Sequence, residues 1–445
     1  MLTGGHPAQI TEPASGSARP DRLGDMVSPS DMSGPGPGRI RQDTVYRAGV
    51  AGIRPTVPTD AAGLERAARR RMSRKAWAYI AGGAGEGRTM VNNREALDAV
   101  RLVPRVGVDR SRRDLSVTLP GGRYDHPVLL APVGAGALVR EDADLAVGRA
   151  AAATGTPYII SNQGSSPLEE TVAAMRAVDP AARHWFQLYW STDEQLVDHL
   201  IARAEASGAS ALVVTLDTTV LGWRPQDLNL GSLPFSRGQG IAQYLSDNRF
   251  LEIVRDRLAA GTAGGIGGVK VTPAAVASLL SIARHHPGRV LRNLLSPEPR
   301  AAVETFLDIY SNPGLDWDLL ATVTERTSLP VVFKGILDPR DALSAVEAGA
   351  DAVVVSNHGG RQVDNAVASL DALREIRGAV GDAYPLLFDS GIRTGRDVAV
   401  ALSCGADAVL LGRPHMYGLA AGGQRGVEEV IGNVLAELDL TTALT

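Results

Sequence analysis

The side chains best suited to chemistry fall at or just beyond the ends of short apolar runs. Asp217 follows Leu212–Leu216, Lys334 ends Val331–Lys334, His358 and Arg361 follow Val353–Ser356, Asp389 ends Leu386–Asp389 with Arg393 beyond it, and Arg413 follows Val409–Leu411. Runs this short and this aliphatic read as buried strands, and charged groups are seldom buried without partners. Taken alone, His358 would serve equally well as a hydrogen-bonded loop histidine, and Lys334 as a lysine snorkelling to solvent. Their joint placement at successive strand ends points instead to a site. Gly391 and Gly412 would let backbone N–H groups approach a phosphate, with Arg393 and Arg413 supplying charge-assisted bonds. No G-x-x-x-x-G-K-[ST] loop occurs, and Gly83-Ala84-Gly85-Glu86-Gly87 follows a helical stretch, so it is not a dinucleotide fingerprint. His285-His286 lacks a companion at metal-ligand spacing, so no metal site is expected.

The elements that must hold these groups form a repeating pattern. Ser207–Val214, Ala348–Val355 and Gly405–Leu411 echo one another as helix end, short turn and aliphatic strand. Three further runs, Val128–Ala131, Tyr158–Ser161 and Trp185–Tyr189, bring the strands to about eight, the number that closes a (β/α)8 TIM barrel. Asp142–Ala153, Thr192–Ser207, Pro339–Ala348 and Arg396–Ser403 read as the intervening helices, with Asp338-Pro339 and Thr192-Asp193 as start signals. Catalytic groups of such barrels lie at the C-terminal strand ends. Those ends also present Pro132-Val133-Gly134, Ser161-Asn162-Gln163, Gln187, Tyr189, Thr215, Ser356 and Ser390.

Three regions stand apart from the barrel pattern. Residues 1–42, rich in Gly, Pro, Ser and Asp, are expected to be a disordered tail, because Gly34-Pro35-Gly36-Pro37-Gly38 suits neither a helix nor a central strand. From Asp60 to Ala81 the apolar spacing is helical. After the fourth strand, residues 225–318 are too long for a βα loop and are expected to be a lid or a subunit contact, with a helix over Ala274–Arg284 and a flexible Gly261–Gly268. The catalytic domain is thus expected over 43–445. The 445 residues are 44% hydrophobic, and 45 Lys and Arg against 49 Asp and Glu give 45 − 49 = −4. That balance argues against a nucleic-acid or anionic-membrane partner. The single Cys404 cannot form an internal disulfide, no apolar run nears bilayer length, and no signal-peptide layout opens the chain, so a cytoplasmic enzyme is expected.

Three motifs occur in barrel order: Ser356-Asn357-His358-Gly359-Gly360-Arg361-Gln362, Asp389-Ser390-Gly391-Ile392-Arg393-Thr394-Gly395 and Leu411-Gly412-Arg413-Pro414. With them the sequence resembles the FMN-dependent α-hydroxy acid oxidoreductases over about residues 43–440. Tyr46–Gly52, Tyr79–Gly83, Leu216–Pro225 and Leu233-Pro234-Phe235 look most like its lactate 2-monooxygenase branch, whose members convert L-lactate and O₂ to acetate, CO₂ and water.

The resemblance implies FMN as cofactor, a 2-hydroxy acid and O₂ as reactants, and a homo-oligomer, tetramer or octamer. It implies His358 as the base for the substrate hydroxyl, paired with Asp217. Arg361 and Arg224 would hold the substrate carboxylate, and Tyr79 and Tyr189 would bond the carboxylate and hydroxyl. Lys334 would offset negative charge on reduced FMN. Ser161, Gln187, Thr215 and Ser356 would contact its ring edge and ribityl chain, Asp389 and Ser390 its ribityl hydroxyls, and Gly391, Arg393, Gly412 and Arg413 its phosphate. Pro132, Val133 and Gly134 would line the flavin, and Gly134 stands where many family oxidases have Ala. Gln163 would lie by the substrate side chain, where several relatives carry Trp or an apolar residue. The rivals are an oxidase or dehydrogenase that releases the 2-keto acid, on a larger or more polar substrate, then an FMN-barrel isomerase and a non-catalytic flavin carrier. The isomerase would need sites for a diphosphate, and the carrier would not need His358, Asp217 and Arg361 together.

Overall fold

In the computed structural model, residues 36–265 and 270–445 are described; most of the expected tail (1–35) and four residues of the glycine-rich stretch (266–269) lie outside them. A short antiparallel hairpin, β1 (Val117–Leu119) and β2 (Gly122–Tyr124), precedes eight parallel strands. These are β3 (Val128–Leu130), β4 (Tyr158–Ser161), β5 (His184–Leu188), β6 (Leu212–Thr215), β7 (Val331–Ile336), β8 (Ala352–Val355), β9 (Leu386–Phe388) and β10 (Ala408–Leu411). Each pairs with the next, and β10 pairs with β3 to close the barrel. The (β/α)8 expectation is therefore met.

Alternate strand residues fill the barrel. Leu129, Ile159, Trp185, Val213, Val332, Val354, Leu387 and Leu410 form one buried cluster with Leu119 and Tyr124 of the hairpin. Trp185 Nε1 donates to the Tyr124 hydroxyl at 2.9 Å, so the hairpin plugs the end of the barrel away from the motifs. The other strand residues pack outward onto the helices in the main core. The helix starts behave as the sequence suggests: Asp338 accepts from Arg340 N–H, Asp193 from Leu196 N–H, and Thr394 forms a capping box with Asp397.

Several boundaries differ from expectation. Residues 37–42 are not tail but the first turns of a helix, Pro37–Val50. Pro at the first helical position costs no hydrogen bond, and Gly38 N–H donates to the buried Asp439 carboxylate of the C-terminal helix Arg413–Leu444. The helical pattern of Asp60–Ala81 is broken into Ala61–Arg71 and Arg74–Ala81, because Ser73 caps the second helix by accepting from Ala76 N–H. β7 does not end at Lys334 but continues to Ile336 through a register shift at Gly335, where φ is 107°. A Cβ on Gly335 would stand 2.7 Å from Asp217 Cβ and Cγ, so this bulge lets Asp217 approach the strand. The insertion is mostly helical, with Asn248–Ala259, Pro273–His285 and Glu298–Ile309 as its longest helices.

Candidate active site

At the C-terminal rim, His358 Nδ1 lies 2.8 Å from Asp217 Oδ1. Asp217 also accepts from Thr218 Oγ1 at 2.8 Å. Burial alone would raise the Asp217 pKa, but the His358 imidazole, Lys334 and the Thr218 hydroxyl together pull it below the usual carboxylate range. Burial holds His358 below the usual imidazole range, against the pull of Asp217. The resting pair is thus an ionised carboxylate and a neutral imidazole. A carboxylate only accepts, so Nδ1 carries the proton and Nε2 keeps its lone pair. His358 (φ 56°) and Ser390 (φ 81°) both adopt left-handed backbone, a strain that collects at functional sites. The His358 N–H donates to Ser356 Oγ, while Ser390 Oγ accepts from the Asn357 and Gly359 N–H groups, so the turn is held in this shape.

A cavity opens above the barrel. His358, Tyr79, Tyr189, Arg224, Arg361, Lys334 and Gln163 line it, as do Pro132, Val133, Gly134 and Thr215. Asp389, Ser390, Gly391, Arg393, Gly412 and Arg413 line it too. Asp217, Ser161, Gln187 and Ser356 stand behind this wall and reach it through partners. Ser161 Oγ donates to Gln187 Oε1 at 3.0 Å, and Ser356 Oγ accepts from Lys334 Nζ at 2.8 Å. Lys334 also pairs with Asp389 at 2.8 Å. Tyr79 and Tyr189 are pushed up by burial and stay protonated donors.

The guanidinium groups define the electrostatics. Arg361 stacks over the Tyr79 ring and donates to the Tyr79 and Gly82 carbonyls. Arg224 donates to the Arg361 carbonyl and to Gln362 Oε1, and Arg413 to the Ile80, Gly359 and Gly82 carbonyls. Among the described residues, Arg224, Arg361, Arg393 and Arg413 have no carboxylate within 4.0 Å. Desolvation, reinforced by neighbouring arginines, brings Arg361 down to about 9 and Arg413 down to about 10, and lowers Arg393 as well. Four such cations around one cavity call for anionic ligands. Deeper in, Gln187 Nε2 and Thr215 Oγ1 are buried without a partner, as an edge of hydrogen-bonding ring atoms would require. The residues present therefore fit a phosphorylated, planar, polar-edged cofactor such as FMN.

Sequence reasoning missed three residues. Thr218 steadies the dyad but carries no motif beyond its place after Asp217. Gln362 closes the first motif, and its Nε2 donates to the Asp217 and Val220 carbonyls while Oε1 accepts from Arg224. Tyr310 comes from the far end of the insertion, joins Phe235 in the cavity wall and stacks on Phe306.

A barrel whose strand ends combine a His–Asp pair, unpaired arginines and orphaned polar edges is that of a flavin-dependent oxidoreductase. The chain belongs to the FMN-dependent dehydrogenase family, whose model matches residues 68–445. It is 37% identical to an L-lactate oxidase of Lysinibacillus sphaericus over 86% of this chain and 88% of that one. It is 38% identical to an FMN-dependent alpha-hydroxy acid dehydrogenase of Penicillium citrinum over 86% of both. A crystal structure of mandelate oxidase with (S)-4-hydroxymandelic acid superposes with a TM-score of 0.70, at 34% identity, covering 87% of this chain and 95% of that one. FMN is thus the cofactor and 2-hydroxy acid oxidation the reaction class. Among the described residues no helix is long and apolar enough to cross a membrane, and no metal-ligand cluster occurs.

Proposed function

We propose that the protein oxidises an L-2-hydroxy acid of about lactate size with O₂ and carries the product on to oxidative decarboxylation, as a lactate 2-monooxygenase does. The observation that carries the reading is the His358–Asp217 pair, 2.8 Å apart, beside a cavity lined by arginines without carboxylate partners. FMN, when bound, would supply the two-electron redox chemistry between the substrate α-carbon and O₂. His358 Nε2 takes the hydroxyl proton, and Asp217 stabilises the resulting imidazolium. Arg224 and Arg361 take the carboxylate in planar, bidentate fashion, with Tyr79 and Tyr189 as phenol donors. Lys334 would offset negative charge on the cofactor, Gln187, Thr215, Ser161 and Ser356 would bond its polar edge and ribityl chain, and Asp389 and Ser390 its ribityl hydroxyls. Gly391, Arg393, Gly412 and Arg413 would hold its phosphate, with Pro132, Val133 and Gly134 along its length.

Residues 225–318 act as the lid in this reading, on a barrel domain starting near residue 43. Phe235 is 3% exposed, meets the Tyr79 ring edge-on and packs on Phe306 and Tyr310. Tyr244 accepts from Asn162 Nδ2, and the Gln243 amide bonds Leu168 N–H and the Ser166 carbonyl, so the insertion is stitched to the loop after β4. A site closed this way keeps peroxide beside the 2-keto acid. Peroxide adds to C2, the C1–C2 bond breaks, and the shortened acid, CO₂ and water leave. The second reading is an oxidase or dehydrogenase that releases the keto acid first; the names of the relatives favour it. Product analysis without catalase decides: the shortened acid and CO₂ support the monooxygenase, whereas keto acid with equimolar peroxide assigns an oxidase. We also read the protein as a cytoplasmic homo-oligomer, tetramer or octamer, with the oligomeric state testable by light scattering.

A further inference from the structure

Gln163 lies two residues beyond β4, is 6% exposed and lines the catalytic cavity. Its backbone is committed, the N–H to Ser161 Oγ at 3.1 Å and the carbonyl to the Ala135 N–H at 2.9 Å. Its side-chain amide makes no hydrogen bond among the described residues. Of the neighbouring amides, Asn162 Nδ2 donates to Tyr244 while Asn162 Oδ1 is buried without a partner, and the Gln243 amide bonds Leu168 and Ser166. The Gln163 amide keeps access to the cavity, so its hydrogen bonds are left for whatever the cavity holds.

The surroundings fix where that ligand group must lie. The side chain runs across Gly134, where an added Cβ would stand 2.8 Å from Gln163 Cβ and 3.2 Å from Oε1. From the other side Gly240 of the insertion closes on the Gln163 carbonyl, to 3.0 Å for an added Cβ. The insertion thus covers the backbone carbonyl, while the amide oxygen lies beside Gly134 on the cavity wall. The orphaned groups suited to the cofactor edge, Gln187 Nε2 and Thr215 Oγ1, belong to β5 and β6.

We infer that Gln163 recognises a hydroxyl on the substrate side chain, so that the preferred substrate is a 2,3-dihydroxy acid of the glycerate type. The inference rests on the reading above that the substrate is an L-2-hydroxy acid. A carboxamide offers one acceptor oxygen and a donor NH₂, and a hydroxyl both donates and accepts, so one hydroxyl can satisfy both ends. A second carboxylate would use only the NH₂ and leave Oε1 unpaired; a methyl would leave both unpaired.

The test compares kcat/KM for L-glycerate and L-2-hydroxybutyrate, which differ by hydroxyl against methyl, with L-lactate as reference. Holoenzyme, Gln163→Leu and Gln163→Met are assayed, with FMN content measured in each. The expected result is a preference of about tenfold for glycerate in the wild type, the worth of one net neutral hydrogen bond, falling to about one in both variants. A wild-type preference for 2-hydroxybutyrate overturns the inference even if neither variant folds. So does a glycerate preference that survives both substitutions, and so does loss of FMN from folded variants, which would give the amide to the cofactor. If none of the three acids reduces the flavin, the reading of the reaction falls first and this one with it.

Discussion

Replacing Asp217 by Asn keeps the shape of the dyad and removes its charge. The carboxylate lies 2.8 Å from His358 Nδ1 and both groups are shielded from bulk water, which places the charge centres about 4 Å apart. At an effective dielectric of about 20, a full imidazolium there is stabilised by about 4 kcal/mol, and one half-formed in the transition state by about 2 kcal/mol. Losing that interaction slows proton removal by roughly 30- to 1000-fold, which overlaps the lower part of the range of about 10²–10⁴ for general acid–base catalysis. The pH profile supplies a second readout. His358 works as the neutral base, and burial holds its pKa below the ordinary imidazole value, so the acid limb of kcat/KM has its midpoint below about pH 6.5. Asp217 is the group that pulls this pKa upward, so in Asp217→Asn the acid limb must move to still lower pH while the plateau drops. Anaerobic stopped-flow reduction across pH, with FMN content as control, measures both. A lowered plateau with an unmoved limb, or a loss below about fivefold, would refute the electrostatic role assigned to Asp217.

Lys334→Met should both weaken FMN binding and slow reduction, because it strips the Asp389 carboxylate of its partner and the cofactor site of its cation; titration of apoprotein with FMN checks this, and unchanged affinity and rate would count against it. Gly335→Ala should cut kcat by tenfold or more with FMN retained, since the new methyl must displace Asp217; wild-type turnover would show that the bulge has slack. Phe235→Gly should raise the share of 2-keto acid and free peroxide over the decarboxylated acid, as read by chromatography, and an unchanged ratio would remove Phe235 from the lid's function. His126, His184 and His415 are each held down to about 4 by burial, below the unfolded value near 6.5. The unfolded chain then binds more protons between about pH 6.5 and 4, so these groups remove stability as pH falls through that window, whereas Asp144, raised to about 6 by burial, works in the opposite sense. Melting temperature should fall steadily from pH 6.5 to 4.5, and a flat profile would contradict these histidine environments.

The barrel was legible because its strands are short aliphatic runs that end in polar residues, a pattern that burial on both faces imposes directly on the sequence. The dyad, the arginines and the glycine turns were legible for the same reason, each lying within a few residues of a strand end. What escaped was set by long-range contacts. The β1–β2 hairpin has three residues per strand, too few to show alternation, and its identity depends on the Tyr124–Trp185 contact across the barrel floor. The helix from Pro37 relies on Asp439, some 400 residues away in the chain. Tyr310 enters the site only because the helix Glu298–Ile309 packs against Phe235, and nothing near it in sequence marks it as functional. Lys334 was found, but the bulge behind it was not, because a glycine after an aliphatic strand is also how such a strand would simply end.

The most direct test of the central claim is anaerobic mixing of the holoprotein with L-2-hydroxy acids while flavin absorbance is followed, wild type beside His358→Ala. The wild type should bleach rapidly with the L- but not the D-enantiomer. His358→Ala should retain its FMN and bleach about 10²–10⁴-fold more slowly, the worth of a general base. Bleaching of the variant within a few-fold of wild type, or no bleaching of the wild type by any 2-hydroxy acid, would contradict the account.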